Sequence, residues 1–155
     1  MSVNPDQNQI VKVVELKAPV SRVWRALTDH EEFGTWFRVR LDSPFIVGEQ
    51  TTGNITYPGY EHMQWVSTTE VMEHERLFVF SWPPNAIDPE TQYATDAKVM
   101  VEFKLETLED EGTRLTITES GFMQFPESKR LEALRSNTEG WDIQAVNIAS
   151  FVQDG

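Results

Sequence analysis

The chain has 155 residues, and 25 acidic against 13 basic side chains leave a net charge of −12. That length fits one domain, 1–155, with an ordered core from about residue 9 to 153. The charge argues against nucleic acid and anionic membrane surfaces as partners, and the absence of cysteine removes disulfides, thiolate chemistry and Cys-based metal sites.

The first residues carry neither a basic stretch nor an apolar one, so no secretory signal is visible. No apolar run approaches the ~18 residues that a membrane span requires. The expected compartment is therefore the cytoplasm. Five Trp, nine Phe and three Tyr pose a sharper question, whether the rings fill a core or line a cavity.

Ile10 to Lys17 is rich in β-branched residues and predicts a strand ending at Ala18-Pro19. Pro19 suits a first helical turn, and Val20, Val23, Trp24 and Leu27 fall on one face of a short helix. Thr28 or Asp29 can cap a second short helix, with Glu31 or Glu32 as the capping-box partner, ending near Gly34. Thr35 to Leu41 is expected to be a strand. Further strands follow at Gln50–Tyr57, Met63–Glu73, Leu77–Trp82, Ala97–Thr107 and Thr113–Ser120, with a polar loop at 85–96. The tight turns at His74–Arg76 and Glu109–Gly112 describe an antiparallel meander.

Alternation places Val99, Val101, Phe103 and Leu105 on one face, together with Leu115 and Ile117 of the next strand. A sheet with one dry face needs a cover. The C-terminal segment supplies it: a helical stretch opens at Pro126-Glu127, Ser136 or Asn137 can re-cap it, and Trp141, Ala145, Ile148 and Val152 lie at helical spacing. The expected class is α+β, one curved antiparallel sheet wrapped around a long C-terminal helix, with two short helices after the first strand.

Several stretches resemble the START-like superfamily. The run from Ala18-Pro19 through Val23-Trp24 to Leu27-Thr28-Asp29 resembles its opening motif, continued by Phe33 and Trp36-Phe37. Phe78-Val79-Phe80-Ser81-Trp82, Thr113 to Phe122, and Glu139-Gly140-Trp141 resemble three later motifs in the same order. Together they are similar to the single-domain bacterial branch of the activator of Hsp90 ATPase homologue family. The resemblance implies a helix-grip fold with a cavity between sheet and terminal helix. It also implies a small apolar or aromatic ligand. The name-giving co-chaperones carry a further N-terminal domain, whereas nine residues precede the first strand here, so Hsp90 activation is not the expected role. A chaperone contact or a homodimer through a sheet edge stays open as a third reading, after ligand binding and a cyclase- or hydrolase-type activity.

Candidate ligand-lining residues are Trp36, Phe37, Trp65, Phe78, Phe80, Trp82, Phe103, Phe122, Trp141 and Phe151, with Ala145 leaving room on the covering helix. Trp24 is expected to pack against its own helix face. The same rings could instead be plain core. Glu119 continues the inward row of Leu115 and Ile117. It is either a carboxyl raised in pKa by apolar walls, able to pass a proton, or a rim group that reaches water or an arginine. Glu70 is the second acid–base candidate. It faces inward if Val66 and Thr68 do, and outward if the Trp65, Ser67, Thr69 row does. His30, His62 and His74 lack metal-ligand spacing and read as surface residues, with His62 alternatively at a cavity mouth. No nucleophile, dinucleotide or phosphate-loop motif appears, so neither cofactor nor metal is expected.

Overall fold

A computed structural model describes residues 7–154. The elements run β1 (Gln9–Leu16), α1 (Val20–Thr28), α2 (His30–Phe37), β2 (Val39–Leu41), β3 (Gln50–Ile55), β4 (Gln64–Glu73), β5 (Leu77–Trp82), β6 (Val99–Thr107), β7 (Thr113–Ser120) and α3 (Glu127–Asp154). The strands form one antiparallel sheet in the order β1-β7-β6-β5-β4-β3-β2. This is the helix-grip arrangement, with α3 as the cover over the dry face.

Several boundaries differ from the sequence-based expectation by one or two residues, and three differ more, each for a local reason. The strand expected at Thr35–Leu41 is helical as far as Phe37, leaving only Val39–Leu41 extended. Phe33, Trp36 and Phe37 sit at i, i+3 and i+4, which turns all three rings to one side. The helix ends not at Gly34 but at Arg38, in the left-handed conformation (φ 68), whose N–H donates to the Gly34 carbonyl. Gly34 serves the return of the chain instead. A Cβ there would lie 2.3 Å from the Val39 carbonyl oxygen, so the glycine lets β2 fold tightly back.

The N-cap of α2 is Asp29, whose carboxylate accepts the Glu31 and Glu32 N–H groups. Thr28 belongs to α1, donating back to the Trp24 carbonyl. The return bond of a capping box is replaced, because the Glu32 carboxylate is engaged by Arg22 at 2.6 Å and Arg25 at 2.9 Å.

The break expected at Ser136 or Asn137 does not occur, and α3 is one helix of 28 residues. Leu134, Trp141, Ala145, Ile148 and Val152 are all buried, so one apolar stripe runs through the supposed cap. Thr138 returns its hydroxyl to the Leu134 carbonyl, and Asn137 turns its amide inward instead of capping.

In β4 the buried row is Trp65, Ser67 and Thr69. Register then shifts between Thr69 and Val71, leaving Glu70 as an extra residue opposite β5. The 83–98 loop contains a short helical turn at Pro84–Ala86 and is pinned by Asp88. That carboxylate accepts the Tyr93 hydroxyl at 2.6 Å and pairs with Lys129 of α3 at 3.0 Å.

Candidate functional site

Period-two alternation turns Phe78, Phe80 and Trp82 of β5 toward α3, with Phe103 beside them on β6. Trp65 of β4, Phe33 and Phe37 of α2, and Trp141 of α3 complete the group. Phe33 is central, with ring centroids 5.0 Å from Phe37, 5.6 Å from Trp65 and 6.4 Å from Phe80. Trp82 lies 5.4 Å from Trp65 and 5.3 Å from Phe80. Trp141 closes the set from the helix side, 6.0 Å from Phe103 and 6.2 Å from Phe37. These are ordinary edge-to-face and stacked contacts, so rings occupy the space between sheet and helix. Two open depressions lie outside it, one along Ser128, Leu131 and Arg135 and one among Arg22, Trp36, Arg38 and Phe151.

Glu119 stands at one end of this aromatic space. It is 0% exposed, on the inward row of β7, opposite Val101 of β6 and Ile10 of β1. The rim position and the arginine partner are therefore both corrected. Trp141 donates its indole N–H to Oε1 at 2.8 Å, and Trp82 donates to Oε2 at 3.2 Å. The Asn137 amide reaches both oxygens, at 2.9 and 3.0 Å. Burial pushes the carboxyl up to about 6, against the opposing pull of the Asn137, Trp141 and Trp82 hydrogen bonds. Such a group can accept N–H donors, and near neutral pH it can give or take a proton.

The remaining candidates separate cleanly. Trp36 is buried beside Phe33, but its N–H is committed to the Ala26 carbonyl at 2.8 Å. Phe78 joins the set through Phe80 and Phe103. Ala145 is buried on α3, one turn beyond Trp141. Phe122 is buried against Phe125 and makes no ring contact with the group around Glu119. Phe151 packs under the Arg22 guanidinium. Glu70 lies on the outer face, where it accepts the Ser81 hydroxyl at 2.6 Å and Lys98 at 2.9 Å. The Ser81 bond first, then Lys98, holds its carboxyl below the usual range. His62 and His74 are exposed, the latter edge-on to Trp24. No cluster of potential metal ligands occurs among the described residues.

Three residues of the site were not singled out as lining candidates from sequence: Phe33, Asn137 and Thr69. Asn137 sits four positions before Trp141, so helical spacing already placed both on one face. Thr69 is fully buried on β4, and its hydroxyl has no hydrogen-bond partner among the described residues. Register puts Thr69, Phe80, Val101 and Glu119 in one row across four strands, with a polar group at each end.

Residues 17–153 match the model of the family described as Activator of Hsp90 ATPase homolog 1-like protein. The chain belongs to this family. Among solved structures it is similar to a protein from Mesorhizobium loti, at 19% identity and TM-score 0.73, over 94% of this chain and 97% of that one. It is also similar to a protein from Arthrobacter aurescens, at 20% identity and TM-score 0.76, over 99% and 91%. A third is the Aha1 dimer from Colwellia psychrerythraea, at 14% identity and TM-score 0.69, over 94% and 96%. At such identities the likeness concerns the fold. No curated protein matches the sequence. Membership of the activator-like family supports a module of ligand-binding type in general terms, and no helix among the described residues is long and apolar enough to cross a membrane.

Proposed function

We propose that this activator-like domain binds a small apolar or aromatic molecule between its sheet and α3, oriented by Glu119. The observation that carries the reading is a fully buried carboxyl, inside an aromatic core, held by three neutral side chains. A carboxyl in such surroundings costs the fold stability that an apolar side chain would not. Buried groups perturbed in this way concentrate at functional sites. The partnerless Thr69 hydroxyl is a second polar point on the same row.

Entry requires a ring to move, and Trp82 is suited to it. It is only half-buried, ends its strand next to the 83–98 loop, and makes the longest of the bonds to Glu119. Native mass spectrometry and tryptophan quenching with a panel of aromatic and aliphatic compounds test the reading. Binding that is present in wild type, associates faster in Trp82→Ala and weakens in Glu119→Gln is expected. Absence of binding to wild type and to Trp82→Ala alike sinks the reading.

A catalytic reading of the same pocket draws on the near-neutral carboxyl of Glu119, and unchanged turnover in Glu119→Gln would remove it. The Colwellia relative is a dimer, and β1 leaves an edge with Val11 and Val13 exposed. Size-exclusion chromatography across protein concentrations tests a corresponding homodimer here.

A further inference from the structure

Among the described residues, the space between sheet and α3 holds a potential negative charge and no buried lysine or arginine. All four bonds to the Glu119 carboxyl come from neutral donors, and among the described residues no lysine, arginine or histidine is bonded to it. Its facing positions are also uncharged. Ile10 and Val101 lie opposite in register on the two neighbouring strands, Trp82 approaches from β5, and Asn137 and Trp141 approach from α3. Lys12 of β1 and Asp142 of α3 are already paired with each other at 2.8 Å.

The walls around the carboxyl are indole rings, which meet it edge-on through their N–H groups. The Trp82 and Trp141 indoles are within 18° of parallel with centroids 6.5 Å apart, and both aim their N–H at the same carboxyl. An aromatic face carries negative potential and attracts cations, most strongly when it is an indole and when water is excluded. A carboxylate with hydrogen bonds but no cationic partner, beside two indoles that can turn a face to a guest, suits a cationic nitrogen. A ligand carboxylate would meet like charge there, and a plain hydrocarbon would leave the charge unpaired.

We infer that the ligand is a monocationic amine with a flat apolar body, its ammonium on Glu119 between Trp82 and Trp141 and its body against Phe80 and Phe103. The inference rests on the binding reading above and adds the class of ligand to it. In the bound state the ammonium N–H takes the place of the Trp82 donor on Oε2, and that indole turns from its N–H edge to lay its face over the cation.

The test compares three probes with one body: 2-naphthylmethylamine, 2-naphthylmethanol and 2-naphthoic acid, titrated calorimetrically into wild-type protein at pH 7.5. The amine is expected to bind about tenfold or more tightly than the alcohol, with the acid weakest. In Glu119→Gln the amine is expected to fall to the level of the alcohol. Should that variant fail to fold, the wild-type series still decides. Equal or tighter binding of the alcohol or the acid overturns the amine inference and leaves the binding reading standing. No binding by any of the three overturns both. An amine advantage that persists undiminished in a folded Glu119→Gln protein overturns the assignment to Glu119.

Discussion

Replacing Glu119 by glutamine keeps the shape of the side chain and removes its titration, which makes the burial of this carboxyl measurable as a pH dependence. In the folded protein its pKa stands at about 6, against 4.5 for the free group. A raised pKa means that the folded state holds the proton more tightly. The contribution to stability is complete below the unfolded value of 4.5 and is lost as pH rises through 6. The difference of 6 − 4.5 = 1.5 pH units corresponds to about 2 kcal/mol, more than half of it lost between pH 5 and pH 7. The group is fully buried, so solvent screening takes little from this figure. Urea unfolding of wild type and Glu119→Gln, followed by circular dichroism at pH 5, 6 and 7, gives the difference directly. Wild type is expected to lose about 1 kcal/mol relative to the variant across that span. A constant difference, or one that moves in favour of wild type as pH rises, would refute the account of a carboxyl desolvated among rings. It would place the group in contact with water or with a cation.

Asn137→Ala removes two of the four bonds to Glu119 and is expected to cost about 1–3 kcal/mol. In an NMR titration it should also move the Glu119 pKa further upward, because hydrogen bonds to the charged form are lost. Thr69→Val removes a buried hydroxyl that has no partner and is expected to stabilise the ligand-free protein by about 1 kcal/mol in thermal melts. Destabilisation would reveal a partner for that hydroxyl. Gly34→Ala should lower the melting temperature despite the roughly 1 kcal/mol better helix propensity of alanine, since the new methyl group meets the Val39 carbonyl oxygen.

Much of the fold is written in short-range pattern. The alternation of Leu115, Ile117 and Glu119 set the facing of β7, and the observed strand runs over the expected Thr113–Ser120. The stripe from Trp141 to Val152 identified the cover. What escaped is what depends on partners distant in sequence. Glu70 could not be assigned a face, because an unpaired residue in β4 shifts register there, and a bulge is a property of two strands rather than one. Asn137 read as a cap because its amide suits either role. Only the arrival of β7 beneath it, 18 residues back along the chain, chooses between them. The start of α2 was legible in Asp29, but its end was not. A glycine inside a helix and a glycine ending one look alike until the contact with Val39 is seen.

The fastenings of α3 bear on how the interior can open. Near its start the Lys129–Asp88 pair ties the helix to the 83–98 loop, two-thirds of the way along Gln144 bonds to the Phe37 carbonyl, and near its end Arg22 lies over Phe151. Between these points, on a rod about 42 Å long, Asn137 and Trp141 rest on one carboxyl and on rings, beside the solvent-facing Lys12–Asp142 pair. A beam held near both ends yields most easily in its span. Bowing by a fraction of a helix diameter would widen the space beneath Trp141 without releasing either fastening. Amide exchange around residues 137–141 should therefore respond to an occupant before that of the two ends does, which makes the middle of this helix the place to watch for opening.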